Sequence, residues 1–210
     1  MFEIAGGLVI GLLVGSFLNV VIYRLPIMME RHWRNDCQAL LADGVENPTA
    51  ETAQCAPDED FNLLVPRSAC PGCGTQITAL QNIPLISWLL LRGRCAACAR
   101  PIPVRYPVVE LLTGLLSAVV IWHYGWNPAG WVVLPFLWAL IALTFIDFDH
   151  QLLPDDITLP LLWLGLVLNL WLSLFVSLEE AVIGAVVGYG LLWSVFHLFK
   201  LLTGKAGMGF

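Results

Sequence analysis

Charged residues are scarce in this sequence. Lys, Arg, Asp and Glu together make up 12% of the 210 residues, whereas hydrophobic residues make up 58%. Soluble domains carry roughly 25% charged residues, so this balance excludes an ordinary soluble globular protein and predicts a lipid bilayer as the surroundings. The ten basic residues are outnumbered by sixteen acidic ones. We therefore expect no surface for nucleic acid.

Long apolar runs are abundant instead. A membrane-spanning helix needs about 20 mostly apolar residues, and five segments meet this requirement. They are residues 4–23, 107–124, 129–146, 157–176 and 181–202. The leader Met1-Phe2-Glu3 lacks the basic residues of a secretory signal, so the first segment is expected to remain as a helix. The sequence predicts an all-α polytopic membrane protein with about five transmembrane helices.

The basic residues indicate how these helices are oriented. Eight arginines lie between the first and second spans, and the two lysines follow the fifth span. Since Lys and Arg concentrate in cytoplasmic loops, both segments are expected in the cytoplasm and the N-terminus outside. The chain then divides into a first transmembrane helix (1–24), a cytoplasmic domain (25–106) and a membrane domain of four further helices (107–210). Residues 28–66, which carry many acids, are expected to form a solvated insertion.

The cytoplasmic segment contains two closely spaced cysteine pairs. The four residues are Cys70, Cys73, Cys95 and Cys98. Two residues between paired thiols let each pair bend around one ion, and four thiolates complete a tetrahedron. Because stable disulfides are disfavoured in the cytoplasm, residues 68–100 are interpreted as a zinc-ribbon-like domain with structural zinc. Buried reduced thiols and a redox dithiol are the alternatives, while Cys37 and Cys55 are expected to be ordinary thiols.

A group of carboxylates follows the third span. Asp147 directly continues the apolar helix, and an aspartate at a helix C-terminus opposes the helix dipole, so a functional role is favoured there. Asp149 lies about 200° further around the helix and is expected to point elsewhere. Asp155 and Asp156 precede the next span and are interpreted as caps of that helix. His150, beside solvent, is assigned no role.

Carboxylate-catalysed peptide hydrolysis requires two carboxylates that share a proton around one water molecule. Asp147 alone does not supply such a pair, and residues 200–210 contain no acid. The chain also lacks the glycine-rich loop of soluble nucleotide-binding proteins. Glu110, just inside the second span, is either a functional acid or a partner for Arg105 or a backbone group.

Several short motifs occur along the chain. The first span ends in GSFLNVVIYRLP at residues 15–26. The loop carries SACP at 68–71, NIP at 82–84 and YPVVE at 106–110, and FIDFDHQLLPD covers residues 145–155. Together with the four cysteines, these motifs resemble those of the type IV prepilin peptidases, a family of membrane aspartic proteases. The resemblance extends over nearly the whole chain.

The resemblance implies that Asp147 is the first catalytic aspartate. The second aspartate of the family lies in a Gly-x-Gly-Asp motif after a later span, and Gly209 and Phe210 resemble the first half of that motif. The second aspartate would then be the second residue past Phe210. The chain as given is therefore expected to lack peptidase activity.

The resemblance also implies two activities at the bacterial inner membrane. One is cytoplasmic cleavage of the leader of type IV prepilins and of type II secretion pseudopilins. The other is N-methylation of the new terminal residue with S-adenosylmethionine. The methyl-donor site is unknown, and Gly93, Gly15, Asn19 and Arg24 are weak candidates. Their structural alternatives are close helix packing for Gly15, an interhelical hydrogen bond for Asn19 and an anchor at the membrane edge for Arg24.

Two other functions fit parts of the sequence. A transporter or channel would explain Glu110 and Asp147, but the third and fourth spans contain almost no polar residues beyond Thr144 and Asn169, which disfavours it. A non-catalytic membrane scaffold, whose zinc-stabilised loop docks a cytoplasmic partner, stays as the alternative to the peptidase.

Overall fold

The structure is a computed structural model that describes residues 2–43, 61–78, 80–172 and 175–204. Helices dominate these residues, as the sequence predicts. They are α1 (Phe2–Asp43), α2 (Ile86–Leu90), α3 (Arg105–Tyr124), α4 (Pro128–His150), α5 (Asp155–Leu172) and α6 (Leu178–Thr203), with a short 3-10 turn at Leu80–Asn82. Pairing between extended segments within the described ranges is limited to two isolated bridges. Both lie in residues 61–104, the segment that contains the two cysteine pairs and that we call the cysteine loop.

Among the described residues, four helices, α1, α3, α4 and α6, are long and apolar enough to cross a membrane. The predicted span at 157–176 corresponds to α5, which is not among the four. Its 18 residues rise about 27 Å, slightly less than the hydrocarbon core of about 30 Å, and its first turn contains two acids. The all-α membrane fold is thus confirmed, with four clear spans where five are predicted.

The first helix is much longer than predicted. It continues through Pro26 to Asp43 instead of ending near residue 24, so the first part of the expected insertion at 28–66 is helical. Residues 27–43 are mostly good helix formers, and Arg34 and Glu30 form an ion pair one turn apart at 2.7 Å. Residues 30–40 are exposed, as expected for a solvated segment. Residues 44–60, which include Cys55, lie outside the described residues.

Small residues bring α1 and α3 into close contact. An added Cβ at Gly7 would lie 2.8 Å from Ile121, at Gly11 2.5 Å from Ser117, and at Gly15 2.8 Å from the Cα of Glu110. Helices in a bilayer gain stability from such close packing because lipid offers no hydrophobic driving force between them. Close helix packing, the structural alternative given for Gly15, is therefore present in the structure, and Gly7 and Gly11 take part in it as well.

The buried core lies where α1, α3 and α4 meet. It consists of Leu18, Ile22, Val109, Ile141, Ala142 and Ile146. A polar chain crosses the same interface: the indole N–H of Trp138 donates to the Ser117 hydroxyl at 2.9 Å, which donates to the Thr113 carbonyl at 2.7 Å. Paired in this way, the Ser117 hydroxyl and the Trp138 indole N–H are tolerated away from water. These three helices form the platform that holds the candidate site.

The α5–α6 pair packs more loosely. In the most apolar stretch of α6, only 6% of the residues are buried, and most of the large side chains of the helix face outward. Its N-terminus is closed by a capping box, in which Ser177 and Glu180 bond each other's backbone N–H groups. The exposed apolar side chains of α6 form a surface suited to contact with lipid.

Candidate functional site

The two cysteine pairs lie on two turns of identical hydrogen-bond pattern. The N–H of Cys70 donates to the Thr75 carbonyl at 2.9 Å, and the N–H of Cys95 donates to the Arg100 carbonyl at 2.8 Å. The flanking residues form the isolated bridges Ala69–Gln76 and Arg94–Pro101. Both turns therefore present their sulfurs from the same side of a tight loop.

The residue after each second cysteine adopts a left-handed conformation. Gly74 has φ 70° and Ala99 has φ 55°, and their N–H groups donate to the carbonyls of Cys70 and Cys95. Glycine reaches this conformation without penalty, whereas alanine is strained there. The first turn is built with the favoured residue and the second is not.

The four predicted ligand sulfurs converge on one point. The Sγ atoms of Cys70, Cys73, Cys95 and Cys98 all lie within 4.8 Å of one another, and those of Cys70 and Cys98 are 3.7 Å apart. A tetrahedron with metal–sulfur bonds of about 2.3 Å has edges of about 3.8 Å, so the cluster has the dimensions of a four-thiolate site. It can hold a metal ion. Cys37 lies exposed on α1, away from this cluster.

The surroundings of the cluster separate the thiol pKa values. The Thr75 hydroxyl, 3.2 Å from the Cys73 sulfur, and the Thr75 backbone lower the pKa of Cys73 from its usual 9.0 to about 6. Backbone hydrogen bonds from Cys98 and Ala97 also lower the pKa of Cys95. At Cys98, a hydrogen bond from the Arg100 backbone lowers the pKa, but desolvation and the three neighbouring cysteines together raise it further, to about 11. At neutral pH the Cys73 thiol is therefore mostly in the thiolate form that binds a metal ion.

Asp147 lies in the last turn of α4 with its side chain exposed. Its carbonyl accepts a hydrogen bond from the N–H of Gln151 at 2.8 Å, and Gln151 ends the helix in the left-handed conformation. No ion pair to the Asp147 carboxylate is formed by the part of the chain that the structure describes. The carboxylate is therefore open to water and to an approaching chain.

Asp149 faces a different direction and forms an ion pair with Arg105 at the start of α3. The pair borders a cavity of about 230 Å³ between α1, α3 and α4, which Asn19, Tyr23, Tyr106 and His150 also line. Asp147 is not part of this lining. The prediction that Asp149 points away from Asp147 fits this arrangement, but the ion pair was not predicted. The sequence offers one indication of this ion pair, which is that Arg105 and Asp149 both fall at the same predicted membrane border.

Glu110 is bound to the backbone of the cysteine loop. Its carboxylate accepts a hydrogen bond from the N–H of Leu85 at 2.9 Å, across 25 residues of sequence. Leu85 has φ 58°, a strained conformation for a branched side chain. Of the two alternatives for Glu110, the structure supports the partner of a backbone group, and that group belongs to Leu85.

The remaining polar candidates in α1 have structural partners. Asn19 donates to the carbonyl of Tyr106 in α3 at 3.2 Å, the interhelical hydrogen bond named as its alternative. Arg24 is buried, and its guanidinium donates to the carbonyls of Asn62 and Pro66 at 2.8 and 2.6 Å. Both residues tie the cysteine loop and its ends to the first helix.

Gly93 is occupied by packing within the loop. It has φ 68°, and a Cβ there would lie 2.9 Å from the Trp88 ring. Its N–H donates to the Trp88 carbonyl, and its carbonyl accepts from the N–H of Ile102. The glycine is therefore required by a tight turn against an indole.

The two acids after Pro154 lie inside the first turn of α5 rather than before it. In that position Asp155 and Asp156 complement the helix dipole, as predicted, but they lie within the helix and not at the cap position before it. The hydrogen bond that Asp155 accepts comes from the Thr158 hydroxyl at 3.4 Å.

Two family profiles match the chain. The bacterial peptidase A24 N-terminal domain matches residues 9–124, and the type IV leader peptidase family matches residues 134–210. No solved structure gives a significant match.

Curated relatives share the same description, prepilin leader peptidase/N-methyltransferase. The protein from Stutzerimonas stutzeri is 58% identical over 203 residues, which is 97% of this chain and 67% of the relative. The protein from Aeromonas hydrophila is 56% identical over 95% of this chain and 66% of its own length. The Neisseria gonorrhoeae protein is 51% identical over 99% of this chain and 70% of its own length. The chain spans about two thirds of the length of these relatives.

Proposed function

The chain belongs to the type IV leader peptidase family, and we propose that it supplies the first catalytic aspartate of a membrane aspartic endopeptidase. Its substrates would be the leader peptides of type IV prepilins and of type II secretion pseudopilins. The proposal rests on the match of residues 134–210 to the family, the segment that contains Asp147.

Asp147 has the surroundings that this role needs. An exposed carboxylate at the end of α4 can accept a proton from a water molecule that attacks a peptide carbonyl. The second carboxylate, expected in the Gly-x-Gly-Asp motif, would hold the shared proton and polarise that carbonyl. Residues 205–210, where the expected motif begins, lie outside the described residues.

The cleavage test compares this chain with a version extended by the remaining third of the Stutzerimonas stutzeri relative. Both are purified in detergent and incubated with a prepilin-like peptide. We expect cleavage by the extended chain alone, abolished by Asp147→Asn and largely retained by Asp149→Asn, since Asp149 is occupied by Arg105. Cleavage by the shorter chain, or by the extended Asp147→Asn variant, would contradict the proposed pair. An extended chain that folds and binds metal without cleaving would favour the scaffold.

The cysteine cluster is proposed to bind zinc in a structural role. Four thiolates leave no open coordination position, so the ion would link the two turns and take no part in hydrolysis. One zinc per chain is expected by elemental analysis. Cys70→Ser should release the metal, while Cys37→Ser and Asp147→Asn should retain it. Equal zinc content in all variants would contradict the site.

N-methylation with S-adenosylmethionine is proposed only from the relatives' description. Gly93 stays a weak candidate for this cofactor, and on one side the Trp88 ring lies 2.9 Å from the position that its Cβ would take. Gly15, Asn19 and Arg24 are similarly occupied by contacts within the protein. No step is assigned to the methyl donor.

The location proposed for the protein is the bacterial inner membrane, with the N-terminus outside and the cysteine loop in the cytoplasm. The support is the eight arginines that lie between the first and second predicted spans, residues 4–23 and 107–124. Asp147 would then lie at the cytoplasmic border, on the side where a newly made prepilin presents its leader.

A further inference from the structure

The cysteine loop exposes an apolar surface that the described part of the chain does not cover. It consists of Leu80, Ile83, Ile86, Leu89 and Leu90, and we call it the α2 patch. Leu90 is 78% exposed and Leu89 66% exposed. Exposed apolar side chains that cluster on a surface mark sites of contact with another protein or with a membrane.

The patch has a defined opposite side. Within α2, Ile86, Leu89 and Leu90 follow the i, i+3, i+4 spacing of one helix face. Trp88, on the other face, packs against Gly93, and its indole N–H reaches the Ile102 carbonyl at 3.5 Å. The helix is therefore fixed to the loop by one face and presents the other outward.

The depth of the patch follows from the hydrogen bond between Leu85 and Glu110. Glu110 lies five residues after the start of α3, about 7 Å along the helix axis. Its backbone also packs against Gly15, which lies well inside the first predicted span. Two membrane helices thus place Leu85, the residue before α2, at the edge of the apolar zone. The α2 patch therefore begins close to the level at which these helices enter the apolar zone.

The charge around the patch matches an anionic surface. Residues 61–104 contain four arginines and no acidic residue. Arg92 and Arg94 follow α2 directly and are exposed. Apolar side chains flanked by arginines are the usual composition of a segment that lies in the interface of an anionic membrane.

We propose that the α2 patch inserts into the membrane leaflet on the side of the cysteine loop, with Arg92 and Arg94 on anionic lipid headgroups. The loop then lies against the bilayer and does not extend freely into water. This inference rests on the membrane fold and is independent of the peptidase proposal.

The test measures depth with a spin label on the full chain in lipid vesicles. The label is attached to p-acetylphenylalanine, which leaves the cysteines untouched, at Leu90 or at Leu40. These two leucines are matched in exposure, 78% and 74%, but Leu40 lies far along α1 from the membrane. We expect the label at 90 to be accessible to oxygen and to lose accessibility to a polar nickel complex, with the reverse at 40. Aqueous accessibility at both positions would overturn the proposal and leave the patch to a protein partner.

The headgroup contact is tested with the lipid composition. Adding phosphatidylglycerol to phosphatidylcholine vesicles should deepen the label at 90. The Arg92→Gln/Arg94→Gln variant should lose this response, while Arg67→Gln/Arg100→Gln, which removes the same charge from the same loop, should keep it. Equal loss in both variants would overturn the role of Arg92 and Arg94.

Discussion

Gly74 and Ala99 occupy equivalent positions in the two cysteine turns, and their φ angles of 70° and 55° give opposite expectations. Gly74→Ala introduces a Cβ in the left-handed region, at a cost of about 1 kcal/mol. Ala99→Gly removes the same strain. In competition with a zinc chelator we expect the first variant to release metal about fivefold more readily and the second to retain it better. Equal effects at the two positions would contradict the equivalence of the turns.

The Cys73 thiol should be the reactive member of the metal-free cluster. Its pKa is lowered to about 6 while that of Cys98 is raised to about 11, and the thiolate is the nucleophile. After chelation at pH 7.5, iodoacetamide should therefore modify Cys73 faster than Cys98, which is also exposed, as read by peptide mass spectrometry. The Cys73 rate should fall as the pH drops through about 6.

Thr75→Val tests the cause of this reactivity. The variant loses the hydroxyl but keeps the backbone N–H, so the pKa of Cys73 should rise part of the way towards 9. Its alkylation midpoint should move up accordingly. An unchanged midpoint would show that the hydroxyl is not the main cause.

Contacts between residues close in the chain could be predicted from the sequence, whereas contacts between residues on different helices could not. The convergence of the four sulfurs follows from a spacing that fixes each turn over a few residues, and the structure confirms it. The pairing of Asp149 with Arg105, and of Glu110 with the Leu85 backbone, depends on how helices distant in sequence are rotated against one another. No local pattern carries that information.

At the level of helices, the α1–α3 contact should be sensitive to single added methyl groups. An alanine Cβ at Gly11 would lie 2.5 Å from the Ser117 hydroxyl and 2.7 Å from the Thr113 carbonyl, so the helices must separate. Such overpacking costs about 1–3 kcal/mol. Gly11→Ala should lower the unfolding temperature in detergent, followed by tryptophan fluorescence.

Gly188 in α6 is the matched control, since no atom of the described residues lies within 4 Å of its added Cβ. Gly188→Ala should leave the unfolding temperature unchanged or raise it slightly, because alanine favours the helix. A loss as large as that of Gly11→Ala would mean that the α6 surface is packed against protein.

The boundaries of the membrane spans were easier to predict than the end of α1. Apolar length and polar turns mark α3 and α4, and the structure agrees within a few residues. In α1, Pro26 and the change to polar residues suggest an end near residue 24. The helix continues because local ion pairs and good helix formers sustain it in water, where hydropathy carries no signal.

For the whole molecule, the number of spans determines which side of the membrane α6 ends on. The basic residues Lys200 and Lys205 favour the cytoplasm, which requires α5 to cross the bilayer despite its short described length. Alkaline phosphatase fused after Gly204 should therefore be inactive, and the same enzyme fused after Gly125 should be active. Activity at both positions would mean four crossings.

Because α1 is one continuous helix, a movement of its polar end is passed on to its membrane-spanning part. The 17 residues from 27 to 43 extend about 25 Å beyond Pro26, so a tilt of about 10° at the proline sweeps the far end by roughly 4 Å. Close to this proline, the buried Arg24 binds the carbonyls of Asn62 and Pro66 and so holds the helix to the cysteine loop. A force applied at the tip of this arm would be delivered as torque to the same helix that packs against α3.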